Sequence, residues 1–262
     1  MRNSPKADKT GAAALFRRIA ESRHCAVLSG AGLSTLSGIR DFRGKNGFYT
    51  NPGPDFPPNI TPELLFDINC FEKDPSLFYR YAGDMVYTVH EKTPSPAHIV
   101  LAELERRGFL KGTITQNIDM LHQRAGSRRV IEIHGSPRVH YCLRCPGIRT
   151  GYDEAASLVK AGAMPRCPRC GRVLKPAITF FGETLPLEAR REAETLAQDT
   201  DILLILGTSL TTRPAADIPH TTLRCGGSLA IVNDTPTPLD GNTVFRAKNL
   251  EEIFEGLREF LA

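Results

Sequence analysis

Four of the seven cysteines fall in two Cys-x-x-Cys pairs, Cys142/Cys145 and Cys167/Cys170, separated by residues 146–166. Each pair presents two thiolates to one point, and two pairs at this separation suit a single tetrahedral Zn2+. The competing reading, redox pairs, needs a Cys-x-x-Cys at a helix start beside a strand, which neither pair has. Four sulfurs leave no open coordination position, so the expected zinc is structural rather than catalytic. In a cytosolic chain, cysteines argue for metal or catalysis before disulfides. Cys25, Cys70 and Cys225 stand alone, and Cys25 lies in an apolar run as a core thiol.

A second constellation begins at that run. Cys25 to Leu28 reads as a buried strand leading into Gly30-Ala31-Gly32, then Ser34-Thr35 and a polar loop, Ser37-Gly38-Ile39-Arg40-Asp41-Phe42-Arg43. Glycines after a strand let the backbone approach a bulky anion, with amides available to phosphate. The dehydrogenase fingerprint would place a third glycine at position 35 and an acid about 20 residues further on. Position 35 is Thr, and the later segment is a proline-rich loop, so hydride transfer is disfavoured. A purely structural turn would not call for the acid, the aromatic and the two bases that follow.

Polar residues recur where other strands end. Gly112 to Asp119 reads as a strand running into Gln116, Asn117 and Asp119; Val130 to His134 ends at His134-Gly135. Asp201 to Leu206 runs into Gly207-Thr208-Ser209, and Leu229 to Val232 into Asn233-Asp234. Ligand sites of open α/β sheets lie at the carboxyl ends of strands.

The elements that must position these groups alternate in type. Helices are expected near 11–22, 62–70, 75–90, 97–107, 152–161 and 187–198, and an amphipathic helix closes the chain through Leu250, Ile253, Phe254, Leu257, Phe260 and Leu261. Leu77, Phe78, Tyr81, Met85 and Val89 should share one helical face. Pro176 to Glu183 reads as a strand and loop of the main domain. The fold expected is α/β: a doubly wound, mostly parallel Rossmann-like sheet with a small domain made of a zinc ribbon and a helical insertion. The boundaries are 10–40, 92–136 and 176–262 for the nucleotide domain, and 41–91 with 137–175 for the small one.

At 262 residues the chain supports one large core plus a satellite. A net charge of +4, with Lys and Arg scattered, is no nucleic-acid signature. No apolar run approaches 18 residues. The first twenty residues carry no apolar signal core or cleavage site and read as a short tail entering a helix, which makes a cytoplasmic location the default.

Taken together and in order, GAGLS, GIRDFR, TQNIDMLHQRAG, HGS, the two cysteine pairs, FFGE, GTSL and IVN resemble the sirtuins, the NAD-dependent protein deacylases, across the chain from about residue 10 onward. The wording is most similar to the bacterial and archaeal deacetylase branch. The resemblance implies that NAD is a consumed co-substrate: the acyl oxygen of an acyl-lysine attacks the nicotinamide ribose, nicotinamide leaves, and a base then lets the acyl group pass to ADP-ribose. It implies His134 as that base, a role that a side chain with a pKa of about 6.5 suits. Asn117 would hold the ribose and a water, Gln116 the ribose, and Asp119 with Asp41 the nicotinamide pocket. Phe42 would shield the reactive carbon and Arg43 support the phosphates. Gly30, Ala31, Gly32, Ser34, Gly207, Thr208, Ser209 and Asn233 would complete the dinucleotide contacts. Asp41 and Arg43 also allow a loop-ordering ion pair, and His122 reads as structural.

The acyl-lysine peptide would lie as a strand between Thr179 to Glu183 (Thr179, Phe181, Gly182, Glu183) and the segment from Leu210 and Thr211 to Arg213, recognised mainly through its backbone. The partners implied are acyl-lysine proteins or peptides, with a monomeric chain and neither membrane nor direct nucleic-acid binding.

Some residues depart from the family pattern. Arg40 stands where proline is usual, which should loosen the loop and add a charge near the cofactor. Met120 stands where Gly or Arg is common, and Thr211-Thr212-Arg213 is unusually polar. Tyr79 is followed three places on by Ala82, not Arg, so short neutral acyl groups are favoured over acidic ones. The main reading is a deacetylase. The alternatives are mono-ADP-ribosyl transfer or long-chain deacylation at the same NAD site, and, more remotely, a non-catalytic zinc module binding nucleic acid.

Overall fold

The computed structural model describes residues 8–261. The tail expected before the first helix lies outside them. Nine strands are present among the described residues: β1 (Cys25–Ser29), β2 (Leu110–Thr115), β3 (Val130–Glu132), β4 (Gly135–Tyr141), β5 (Arg149–Gly151), β6 (Lys175–Ile178), β7 (Ile202–Leu206), β8 (Ser228–Val232) and β9 (Thr243–Ala247). They are shared between two compact units. The first comprises the chain up to Gly38, Thr93–Ile133 and the chain from Leu187; the second comprises Ile39–Lys92 and His134–Pro186.

The first unit is built on an all-parallel sheet of order β3-β2-β1-β7-β8-β9. β1 is buried at every position, as the covered centre of a parallel sheet requires. Helices Lys9–Glu21, Pro96–Arg106 and Leu250–Leu261 pack together and bury Leu15, Ile19, Leu101, Leu104, Phe254 and Leu257 in one core with β1, β7 and β8. Phe260, expected on that buried face, is 45% exposed at the end of its helix. Among the elements that were not anticipated are helix Ile218–Arg224, which begins at Ile218-Pro219, and the edge strand β9, whose Thr243–Ala247 has no clean alternation.

The chain order makes β1 the turning point. From β1 it runs outward through β2 to β3, then restarts at β7 and runs the other way. The carboxyl ends of β1 and β7 are therefore the switch point of the sheet, the place where open α/β sheets bind their ligands. Register levels those ends: Ser29 pairs with both Thr115 and Leu206, and Leu206 with Val232.

The second unit holds a three-stranded antiparallel sheet of order β5-β4-β6. Here the structure corrects the sequence reading: Pro176 to Glu183 does not rejoin the parallel sheet, because β6 pairs with β4, and the return falls at Leu187. The helix expected from 75 to 90 is three pieces, Pro75–Tyr81, Gly83–Tyr87 and the turn Val89–Glu91, the first closing at Ala82 ahead of Gly83. Its buried residues are accordingly Phe78, Tyr79, Ala82, Val86, Tyr87 and Val89, while Leu77, Tyr81 and Met85 are only partly buried. Phe66, Phe71, Phe78 and Phe180 meet edge to face, apart from the tilted Phe78–Phe180 pair, with centroids 5.3–5.9 Å apart, and form part of this unit's interior.

Candidate active site and metal centre

In the first unit the loops after β1 and β7 are joined backbone to backbone. The Gly32 amide donates to the Gly207 carbonyl at 2.8 Å, and the Gly30 amide to Leu206 O at 2.9 Å. A Cβ on Gly32 would lie 2.8 Å from Gly207 Cα, and one on Gly207, whose φ is +62°, would lie 2.3 Å from the Leu33 nitrogen. The glycines are needed here because the two loops interlock. Their amides are spent on that contact rather than left for a phosphate, which revises the role expected for Gly30 and Gly32.

Three polar side chains form a chain beside this junction. Asn117 Nδ2 donates to Gly30 O at 3.0 Å and to Ser34 Oγ at 2.9 Å, and Ser34 Oγ donates to Asp119 Oδ2. The Leu121 amide donates to Asp119 Oδ1 at 2.9 Å. Burial raises the Asp119 pKa, opposed by the Ser34 and Leu121 bonds. Gln116 Nε2 reaches Thr208 Oγ1 at 3.0 Å, tying the loop after β2 to the loop after β7. Met120 adopts a left-handed φ of 61° at the start of the short helix that follows, a conformation that glycine takes without strain. Ser209 bonds Thr211 through their hydroxyls at 2.9 Å, and Asn233 Nδ2 donates to Thr235 O at 2.8 Å.

Beneath the chain lies a second layer. His122 Nε2 sits 2.9 Å from Ser29 Oγ; Ser29 donates to Thr115 Oγ1 at 2.8 Å, and Thr115 Oγ1 accepts from the Asn117 amide at 3.1 Å. His98 lies 4.9 Å from the His122 ring, and burial lowers the two imidazoles to about 4 and about 3. His122 is a neutral, structural histidine.

In the second unit His134 occupies the turn where β3 has ended and β4 begins. Its carbonyl accepts from the Thr179 amide at 2.7 Å. Gly135 follows with φ +73°, and a Cβ there would lie 2.2 Å from Ala177 O. Only glycine allows this crossing, and together with the bond from Thr179 it sets the course of the main chain at His134.

The loop from Ile39 to Asn51 carries Asp41, Phe42 and Arg43. Phe42 packs against Tyr49 and Phe66, with ring centroids 5.1 and 5.7 Å away, and the Arg43 guanidinium lies 5.3 Å from the Tyr49 ring centre. Arg40 does not loosen this loop as expected. Its guanidinium donates to the carbonyls of Asn46 (3.2 Å), Gly47 (3.3 Å) and Asn51 and lies over Phe48, stapling the loop to itself.

Of the residues proposed for the peptide, Phe181 has its amide on Phe66 O at 2.6 Å and its carbonyl on the Ile68 amide at 3.0 Å. Both are spent, so Phe181 offers its ring, 40% exposed, rather than its backbone. Leu210 is buried with a left-handed φ of 55°, not an extended one, while Thr211 is exposed. Sequence reasoning overlooked Lys175, which is fully buried and 2.8 Å from Glu183. Its signal was a lysine in an otherwise apolar strand.

The four cysteines do converge. Their sulfurs all lie within 4.8 Å of one another, Cys142 and Cys170 at 3.6 Å. Tetrahedral zinc with bonds of about 2.3 Å sets sulfurs about 3.8 Å apart, so the cluster fits one ion. Gly147 and Gly171, both left-handed, turn the chain just past each pair, and the Cys167 amide donates to Arg172 O at 2.7 Å. Desolvation raises the Cys145 thiol, while backbone and neighbouring-thiol hydrogen bonds lower Cys142 against its own desolvation.

Comparison with known proteins agrees with this geometry. The Sir2 family model matches residues 30–214. An NAD-dependent protein deacetylase of Thermotoga maritima is 44% identical over 220 residues, 84% of this chain and 85% of that protein. One from Saccharolobus solfataricus is 37% identical over 254 residues, 94% and 98% of the two chains. A solved complex of Sir2 with a p53 peptide and NAD+ superposes with a TM-score of 0.81 at 38% identity, covering 95% of this chain and 96% of that one. A Sir2 complex with deacetylated p53 peptide and 3′-O-acetyl ADP ribose gives 0.85 at 38% identity, with the same coverage.

Proposed function

The chain belongs to the Sir2 family, and from that premise we propose how its residues divide the work of NAD-dependent protein-lysine deacetylation. It is an NAD-dependent deacetylase, in which the acetyl group of acetyl-lysine passes to ADP-ribose and nicotinamide is released. Its relatives are named deacetylases and deacylases, so ADP-ribosyl transfer, the other reading of the sequence, is not favoured.

His134 is the general base. The observation that carries this is the backbone lock at Gly135 and Thr179, which fixes the main chain from which the half-buried imidazole projects. Asn117, oriented by Gly30 O and Ser34, presents its amide to the ribose; Gln116 and Thr208, bonded to each other, line the same sheet end. The interlocked Gly30-Ala31-Gly32 and Gly207-Thr208-Ser209 loops, with Asn233, form the floor for the dinucleotide. Asp119, with its raised pKa and fixed hydroxyl donor, suits an amide-bearing ring such as nicotinamide; Asp41 is assigned to the same pocket. Phe42, braced by Tyr49 and Phe66, shields the reacting carbon, and Arg43 serves the phosphates.

Zn2+ held by Cys142, Cys145, Cys167 and Cys170 would supply a rigid cross-link and no catalysis. The residues assigned to the peptide are Phe181 through its ring, Thr179, Gly182 and Glu183 through their carbonyls, and Leu210 with Thr211. Short neutral acyl chains are preferred. We place the protein in the cytoplasm, acting as a monomer on acyl-lysine proteins without direct nucleic-acid binding; no helix of the described residues is long and apolar enough to cross a membrane.

The test is mass spectrometry of an acetyl-lysine peptide incubated with NAD. Loss of the acetyl mass together with acetyl-ADP-ribose supports the assignment. NAD consumption with the acetyl group retained would overturn it.

A further inference from the structure

Lys175 is an anomaly that neither the zinc centre nor the dinucleotide loops explain. It lies on β6 with no exposed surface, and its ammonium sits 4.1 Å from the Phe180 ring centre and 5.6 Å from that of Tyr141. Its polar partners all belong to one short segment. Nζ donates to Pro176 O at 3.2 Å and Ile178 O at 2.7 Å, and lies 2.8 Å from Glu183 Oε2. The same carboxylate oxygen accepts from the Phe180 amide at 2.7 Å, and the Glu183 amide turns back to Phe180 O at 3.0 Å. An ion pair with one buried and one partly exposed member is a poor way to gain stability, since burying the charge costs much of what the pairing returns. What it does well is fix one geometry.

The geometry fixed here bears on two functional features. Residues 175–183 hold the His134 carbonyl through Thr179, and Ile178 is the register partner of Gly135. They also form the turn at Phe180 to Glu183 that exposes the Phe181 ring, with Gly182 in a left-handed conformation at φ +89°. Lys175 bonds to the strand part of this segment and, through Glu183, to its loop part.

We propose that Lys175 is a positioning residue for the acyl-lysine substrate: through Glu183 it locks the Thr179 to Glu183 loop in the shape that receives the peptide. The inference rests on the reading of that loop as the peptide-binding segment. Lys175 touches neither substrate nor dinucleotide in this role. Its effect is on peptide affinity, not on NAD.

The experiment compares steady-state kinetics of the zinc-loaded full chain and its variants with an acetyl-lysine peptide and with NAD. Lys175→Met should raise the KM for peptide about tenfold, as release of the Glu183 carboxylate from its buried cation predicts. The KM for NAD and the zinc content should not change. Lys175→Arg, which keeps the charge, should recover most of the loss. Because Lys175 acts through Glu183, the Lys175→Met/Glu183→Gln double variant should be no worse than Lys175→Met alone. An unchanged peptide KM in Lys175→Met, an equal rise in the KM for NAD, or fully additive effects in the double variant would each overturn the proposal. Phe181→Ala serves as the control for the underlying reading. If it leaves the peptide KM untouched, the loop is not the peptide site and both ideas fall. If it raises the KM and Lys175→Met does not, only the role of Lys175 falls.

Discussion

Replacing Gly135 by alanine tests whether backbone crowding, rather than the imidazole alone, sets the position of His134. Two costs can be separated. The first is conformational: φ is +73°, and a side chain in the left-handed region costs roughly 1–2 kcal/mol. The second is steric, because the new Cβ would stand 2.2 Å from Ala177 O, a backbone atom of β6 that no rotamer change can move. Forcing β4 and β6 apart adds about 1–3 kcal/mol of overpacking and puts at risk the hydrogen bond from Thr179 to the His134 carbonyl, about 0.5–1.5 kcal/mol. The sum is roughly 2.5–6.5 kcal/mol. Gly226→Ala is the matched control: φ is +86° with nothing within 4 Å of its Cβ, so only the conformational cost applies. At roughly 2–4 °C per kcal/mol for a chain near this size, thermal unfolding should separate the two variants clearly. Deacetylation should fall sharply in Gly135→Ala and hold in Gly226→Ala. If both variants unfold within a few degrees of each other, and both stay active, the crowding argument is wrong.

Other consequences can be measured directly. Stripping zinc with a chelator should lower the melting temperature and abolish activity, with both restored by stoichiometric Zn2+; full activity in a metal-free sample would contradict a structural zinc. His98, His122 and His140 are buried and neutral, with pKa lowered to about 4, 3 and 4 from an unfolded value of about 6.5. Below about pH 6.5 the unfolded chain binds protons that the folded chain refuses. Stability is therefore full above that pH and should fall by about 1.4 kcal/mol per unit per histidine toward pH 4; denaturant midpoints that stay flat from pH 7 to 4.5 would refute it. Arg40→Ala should free the Ile39–Asn51 loop, seen as faster limited proteolysis there and a several-fold higher KM for NAD with the peptide KM unchanged. An unaltered proteolytic pattern would show that the staple is not needed.

Much of the fold could be read from the chain because parallel strands buried on both faces are long apolar runs: Cys25 to Leu28, Ile202 to Leu206 and Leu229 to Val232 announce themselves. The zinc centre was equally legible, since its chemistry resides in residue type and spacing. What escaped did so for physical reasons. Lys175–Ile178 has the composition of a main-sheet strand, and only its pairing with Gly135 to Tyr141 places it in the small antiparallel sheet. β9 is an edge strand under weak patterning constraint. The helix expected through His90 is broken at Ala82 and Gly83, which periodicity alone does not register. Within the candidate site the residue types were evident, but their partners were not: that the two glycine loops interlock, that Arg40 folds back on its own carbonyls, and that Phe181 has no backbone groups left all depend on contacts between distant segments.

The measurement that bears most directly on the account compares two reactions in His134→Ala: deacetylation of an acetyl-lysine peptide, and exchange of labelled nicotinamide into NAD in the presence of that peptide. A base that acts after nicotinamide has left is dispensable for exchange and essential for acetyl transfer. The variant should therefore retain exchange while deacetylation collapses. Deacetylation that survives, or exchange lost in equal measure, would contradict the role given to His134.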